Sequence, residues 1–478
     1  MSFPPYPRHP VPRPRPIRPT TALARPGRWQ LGWLEWFVLM QTALMGILFV
    51  PGVSAIRPAV RILSYGMGLI FWALVLWQGR TDPVGLRYPA RGLLAFCGVW
   101  LFLELLHPNN YSLLTAVGQA ALYLSVLSPV FWAPKVLTGT RQISRVMAVV
   151  FACNALSVLL GIAQFYRPET FNPPVIPALN NVWNGDDLKF ETVDGRRILR
   201  PCGLTDTPGG SAPAGTTVAL LGLCWALRPV AAWKRLGSVG LAFLGVAIIY
   251  YTQVRVTMVM LIISMIALVL LLAIRGQYGK ASVLTAGGVA ILAGAMAWAV
   301  RNVGTKVFDR FFVVLEKGPV GYSLQSRGGY VHDGLVQLTQ YPLGYGLGWW
   351  GQINGLFFIP NKISPVWVEV MVQAWAYDGG LPLWLGYVGA IVVALYSSAR
   401  IALTARDPDL AFWATVITAL NLSVAASCLS YATFVSPVGL NFWLMSAALQ
   451  AAEVRSVPAE RRPAPGPSRP RPRPTSWL

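Results

Sequence analysis

The chain has 478 residues, 55% of them hydrophobic and only 12% charged, and its mean hydropathy is +0.52. A water-soluble core cannot hide that much apolar surface, so a polytopic membrane protein is expected. The net charge of +21 would by itself suggest nucleic acid, but the arginines sit in tails and short connections beside apolar runs. No basic face with interleaved aromatics stands outside those runs, so nucleic acid is not expected as a partner.

Residues 1 to about 29 form a basic arm rich in Pro and Arg, which cannot bury apolar area and is expected to be disordered on the cytoplasmic side. It lacks the apolar core and small-residue site of a cleavable signal. Apolar runs follow at about 33–51, 62–78, 92–106, 113–133, 146–165, 212–228, 236–251, 255–274, 281–300, 381–399, 410–430 and 437–452. A helix needs roughly 20 residues to cross a bilayer, so the expected fold is an all-α integral membrane protein of about 12 transmembrane helices. Residues 30–300 would hold the first nine spans and an outer loop at 166–211. Residues 301–380 would form a large periplasmic loop containing short helices, 381–453 the last three spans, and 454–478 a second disordered basic tail. The five cysteines, Cys97, Cys153, Cys202, Cys224 and Cys428, suggest neither a disulfide framework nor a metal quartet.

With the N-terminus inside, the even-numbered connections carry Arg80, Arg87 and Arg91; Lys135, Arg141 and Arg145; Arg228, Lys234 and Arg235; Arg275 and Lys280; and Arg400 and Arg406. This is the positive-inside pattern, with both termini cytoplasmic; Arg57 and Arg61 run against it. The two long connections, about 166–211 and 301–380, then share the non-cytoplasmic face. No solenoid repeat is present, and no matched pair of interrupted spans suggests an inverted-repeat transporter.

The first outer loop ends in RRILRPCGLTDTPGGSAPAG, whose glycines and prolines make a tight re-entry turn with backbone N–H groups able to face a ligand. YYTQVRVTMVMLII places Arg255 at the outer mouth of the eighth span, behind Tyr250, Tyr251, Thr252 and Gln253. A charge there either snorkels or binds; a guanidinium at headgroup depth is suited to phosphate oxygens. The stretch from Arg301 to Gly380 is the longest polar interruption and the expected seat of chemistry. In it Arg327 leads RGGYVHDGLVQL, a helical segment that brings His332 obliquely near Arg327 and ends before YPLGYGLG. GLGWWG matches G-x-G-x-x-G in form only, since no strand precedes it, so no dinucleotide site is expected. PVWVEVMVQAWAYDGGLP reads as a short or half-embedded helix with Glu369 and Gln373 one turn apart and Asp378 at its end. Glu369 suits either a general base or an ion pair with a loop arginine. Asp186 and Asp187 form an adjacent acidic pair on a loop, read as solvated; no metal and no cofactor are expected.

Four features taken in order resemble the O-antigen ligase and polymerase superfamily: the RPCGLTDTPGG turn, the TQVRVTM arginine opening a span, the arginine-led helix running into YPLGYGLG, and the half-helix closing in DGGLPLWLG. The resemblance covers roughly Arg200 to Leu385; the first half resembles the family only in its spans. It implies a metal-independent membrane glycosyltransferase, GT-C-like in architecture, in the bacterial inner membrane. Such an enzyme uses a polyprenyl-diphosphate-linked oligosaccharide donor and an acceptor glycan on the periplasmic face, in exopolysaccharide or O-antigen synthesis. It also implies a chain-length regulator or export machinery, and membrane lipids, as partners. The diphosphate-holding arginines would fall on Arg255 and Arg327, with Arg200 a third. Ligases of the family open the half-helix with a His-Asn pair, and the matching place near Glu369 has no histidine, which favours a polymerase. The base is then Glu369 or His332. Gln373, Tyr251, Trp349 and Trp350 are the expected substrate contacts, the tryptophans stacking on sugar faces or forming an interfacial belt. The rival readings are a ligase acting on a lipid or protein acceptor, and a lipid-linked oligosaccharide flippase, which would place charges along a path inside the bundle.

Overall fold

The computed structural model describes residues 31–456 apart from 51–52, 54–55, 81, 83, 85–87, 174–187, 206, 306–327 and 351–367. Both basic tails, Asp186, Asp187, Arg327 and Trp367 therefore lie outside the described residues.

The described chain is almost entirely helical: α1 Trp33–Ile47, α2 Arg57–Trp77, α3 Pro89–Glu104, α4 Leu113–Leu127, α5 Pro129–Val136, α6 Thr140–Tyr166, α7 Pro168–Phe171, α8 Ser211–Ala226, α9 Ala232–Thr252, α10 Arg255–Ile274, α11 Tyr278–Val303, α12 Gly328–Gln340, α13 Met371–Thr404, α14 Pro408–Ser427 and α15 Pro437–Ser456. Among the described residues seven helical runs are long and apolar enough to cross a membrane: Leu113–Val136 (α4 with α5), α6, α9, α10, α11, α13 and α14. α1, Ile62–Trp77 of α2, and α8 are shorter apolar helices. The apolar runs of the sequence are helical in the described residues, because a backbone in hydrocarbon can satisfy its polar groups only within the segment.

Local sequence sets several of the ends. Ser112 caps α4, exchanging hydrogen bonds with Thr115 in a capping box. Asp407 caps α14 by accepting from the amides of Asp409 and Leu410, with Pro408 at the first helical position. α8 and α9 cross closely at small residues, a Cβ on Gly215 lying 2.5 Å from the Gly245 carbonyl oxygen.

Arginines tie one end of the bundle. Arg228 pairs with Asp409 at 2.7 Å and lies over the rings of Trp225, Phe412 and Trp413. Arg400 pairs with Glu453 at 2.8 Å, and Arg145 reaches the buried Glu35 at 3.5 Å. Arg275 donates to the carbonyls of Ala402 and Ala405. The long connections meet at the other end: Val193 N donates to Asn302 O at 3.2 Å, Tyr111 N to Leu347 O at 3.3 Å, and Met371 N to Cys428 O at 2.9 Å. Two three-residue strands, β1 Lys189–Glu191 and β2 Arg197–Leu199, pair antiparallel there, with Phe190 opposite Ile198.

α13 departs from the sequence reading at its start. Val370 is extended (φ −116°, ψ 148°) and the helix starts at Met371, so Glu369 precedes it and does not share a helical turn with Gln373. The expected half-helix ends at Asp378, where Gly379 and Gly380 (φ 58°, ψ −151°) leave helical geometry before the chain runs on to Thr404. Gly380 occupies a region that is essentially glycine-only, and a Cβ there would strike Pro342 O and the Gly344 amide. Gly380→Ala is expected to cost about 3 kcal/mol, from about 1–3 kcal/mol of backbone strain plus the displaced turn. Graded-detergent unfolding measures it, with Gly237→Ala, whose Cβ meets nothing within 4 Å, as the neutral control.

Candidate functional site

The site is built around the YPLGYGLG turn. Gly344, Gly346 and Gly348 all have positive φ, and each carries the turn past a neighbour that leaves no room for a side chain. A Cβ on Gly344 would lie 2.9 Å from Gly380 N, one on Gly346 3.0 Å from Asn109 O, and one on Gly348 2.5 Å from Thr115 Oγ1. The backbone confirms the fit: Tyr345 N donates to Tyr377 O at 2.8 Å and Leu381 N to Pro342 O at 2.8 Å. Asn110 Oδ1 accepts from Leu347 N at 2.7 Å. The glycines thus serve packing between the turn, the start of α4 and the α13 kink.

Beneath the turn lies a carboxylate that sequence reading noted but did not place in the site. Asp378 is fully buried, and its Oδ2 accepts from Trp350 Nε1 at 2.6 Å, Tyr123 OH at 2.7 Å and Gln119 Nε2 at 2.9 Å. Glu104, also buried, interacts electrostatically with Asp378. Gln119 and Tyr123 are spaced one turn apart on the largely apolar α4, and this spacing is the sign of the network in the sequence.

The second part of the site is a cavity of ≈ 140 Å³ at the same end, where α8, α10 and the α14–α15 connection meet. Its walls include Thr207, Gly209, Val254, Val256, Thr257, Ser427, Tyr431 and Thr433. Gly209 lets the re-entry turn approach Val254, a Cβ there lying 2.9 Å from Val254 Cγ2. Gly209 N in turn donates to Arg200 O at 3.3 Å. Arg200 and Arg255, both half-buried, are thereby brought into one neighbourhood through the chain around Gly209 and Val254. The break between α9 and α10 is only two residues long and turns on Gln253, which has φ 53°. Arg255 is the first residue of α10, so its guanidinium joins the positive end of the helix dipole. A cation there is unfavourable by about 0.5 kcal/mol and offers no advantage to the helix. An anion beside it is favoured by both.

Glu369 is half-buried and joins this neighbourhood through Met371, whose amide is bonded to Cys428 O beside Ser427. His332 is exposed on α12, which crosses α13 where a Cβ on Gly334 would lie 3.0 Å from Gln373 Cα. Three of the expected substrate contacts are buried. Tyr251 is fully buried and stacked on Phe165 at 3.9 Å. Trp350 is bound to Asp378, and Gln373 is 4% exposed beneath α12. Each is held by packing among its neighbours. Trp349 is half-buried, with its Nε1 donating to Asn109 O and its ring edge-on to Tyr111 and Tyr345. The residues missed by sequence reading are Ser427, Tyr431 and Thr433; their signal is the hydroxyl-rich SCLSYATFVSP between two apolar runs.

Among the described residues no group of three or more His, Cys, Asp or Glu side chains placed to hold a metal ion comes together, and the five cysteines are buried without a disulfide between them. In the β1–β2 hairpin the Thr192 hydroxyl, then Arg196 at 2.5 Å, hold the Asp194 carboxyl below its ordinary range. A lowered folded-state value means that the contact is present at higher pH and lost as pH falls through the Asp194 midpoint. Thr192→Val is expected to raise that midpoint, read by NMR titration.

The described helices define an all-α, multi-pass membrane protein. A scan against protein-family models finds no match for this sequence, and comparison with curated proteins finds none either.

Proposed function

We propose that this protein is a polysaccharide polymerase of the bacterial inner membrane, crossing it twelve times with both termini in the cytoplasm. In this reading it transfers a glycan from a polyprenyl-diphosphate carrier to an acceptor sugar hydroxyl on the periplasmic face. The observation that carries the reading is the cavity in which the re-entry turn at Thr207–Gly210 meets Val254 and Val256, the neighbours of Arg255 at the start of α10, at the end of the bundle opposite the arginine ties. The sidedness follows from those ties, since arginine-rich connections stay cytoplasmic.

The chemistry assigns each group a task. The acceptor oxygen attacks the anomeric carbon, the anomeric C–O bond to the diphosphate breaks, and the electron pair leaves with the polyprenyl diphosphate. Arg255, with Arg200 and Arg327, stabilises the charge that builds on the leaving group. Glu369, half-buried and two residues before the Met371 amide that bonds Cys428 O, takes the acceptor proton in preference to the exposed His332. The largely apolar cavity beneath Arg255 suits the first isoprene units of the carrier.

The test compares a strain lacking the protein with the same strain carrying it, reading glycan length on a gel and the sidedness of lipid-linked repeats. Loss of long chains, with single repeats accumulating on the outer face, is expected. Repeats trapped on the cytoplasmic face would mark a flippase, and full-length glycan left on its carrier would mark a ligase.

A further inference from the structure

A second concavity, of ≈ 300 Å³, opens at the same end of the bundle, lined by Phe165, Tyr166, Val193, Asp194, Arg196, Arg301 and Asn302. It is formed by the end of α6, the β1–β2 hairpin and the end of α11, segments distinct from those around the first cavity apart from the chain that joins the hairpin to Arg200. The hairpin is fixed to α11 by the Val193 N to Asn302 O bond, so the cleft has defined walls.

Three kinds of group converge there. Tyr166, 40% exposed, presents an aromatic ring braced edge-on against Phe165, with its hydroxyl 3.3 Å from that of the buried Tyr251. Asn302 spends its Nδ2 on Tyr251 OH at 3.2 Å and Trp298 O at 2.7 Å, so its Oδ1 is left to accept. Arg301 is exposed and makes no ion pair among the described residues, whereas Arg196 is paired with Asp194. Two guanidiniums against one carboxylate leave one net positive charge. Arg301 alone would decide nothing, since a helix C-terminus favours a cation in any case. The ring and the amide oxygen beside it change the reading. An aromatic face suits the C–H side of a pyranose, a carbonyl oxygen accepts from a sugar hydroxyl, and a guanidinium binds a carboxylate with directed hydrogen bonds. A phospholipid headgroup would use the charge and neither of the others. The volume is at the lower limit of ligand pockets, room for roughly one or two sugar rings.

We propose that this cleft is a binding subsite for a carboxylate-bearing sugar of the acceptor glycan, a hexuronic acid or its like. The ligand's role as acceptor rests on the glycosyl-transfer reading; the binding chemistry does not. The test uses the full chain in nanodiscs of phosphatidylcholine, titrated with a tetragalacturonate and with a neutral maltotetraose. The acidic oligosaccharide is expected to bind at least about tenfold more tightly, the size of one charge-assisted contact. Arg301→Gln is expected to remove that preference and leave neutral binding unchanged, while Arg301→Lys keeps much of it. Equal affinity for the two oligosaccharides, or a preference that survives in Arg301→Gln, overturns the proposal. So does loss of acidic-sugar binding when phosphatidylglycerol replaces phosphatidylcholine, which would mark a headgroup site. Acid preference without any transfer activity would keep the cleft and sink the polymerase reading, and transfer without acid preference would do the reverse.

Discussion

Asp378→Ala is expected to destabilise the protein by about 3 kcal/mol, because three buried donors, Gln119 Nε2, Tyr123 OH and Trp350 Nε1, lose their common acceptor. Hydrogen bonds between membrane helices are worth about 0.6–2 kcal/mol each, and a buried donor left without a partner adds a desolvation penalty of roughly 1–3 kcal/mol. The methyl group also leaves a void where the carboxylate was. Asp378→Asn keeps one acceptor oxygen in place and is expected to lose about 1 kcal/mol. Because Trp350 anchors the glycine-rich turn, the loss in Asp378→Ala should appear first as protease sensitivity around residues 342–350 and then as a lowered unfolding midpoint. A wild-type midpoint in Asp378→Ala would show that the glycine contacts alone hold the turn.

Arg255→Ala is expected to lower transfer by roughly 10²–10³-fold, the range found when one fixed donor to a developing negative charge is removed. The unfolding midpoint of the variant is measured beside that of the wild type. The stability reading matters because it separates lost chemistry from lost fold. Arg255→Lys retains charge without the planar fork and is expected to fall between the two. Chain elongation per unit of membrane-inserted protein is the measurement, and wild-type elongation by Arg255→Ala would remove Arg255 from the site.

The spans were legible because a bilayer demands long apolar segments, a local property of the chain; α10 and α14 lie close to where the apolar runs placed them. The re-entry turn and the TQVRVTM break were legible for a similar reason, as polar or glycine-rich interruptions beside apolar runs. Their meeting was not, because the contact of Gly209 with Val254 depends on how α8 and α10 pack. Asp378 illustrates the limit best. Its partners Gln119 and Tyr123 are more than 250 residues away, and a lone aspartate before Gly-Gly carries no local mark of such a network. The burial of Tyr251 and Trp350 was hidden for the opposite reason: aromatics near a membrane surface read as exposed, yet the largest rings are the ones a core gains most from burying. The start of α13 at Met371 was hidden because Val-Glu-Val continues the apolar pattern of the helix in extended backbone.

The central claim is that the outer-end cavity carries glycosyl transfer, and its most direct test is a reconstitution. Purified protein in proteoliposomes is supplied with a polyprenyl-diphosphate-linked oligosaccharide, and both free polyprenyl diphosphate and glycan length are followed over time. The account predicts one polyprenyl diphosphate released for each repeat added, with both signals lost together in Arg255→Ala. Intact lipid-linked oligosaccharide appearing across the bilayer, with no diphosphate released, would contradict it.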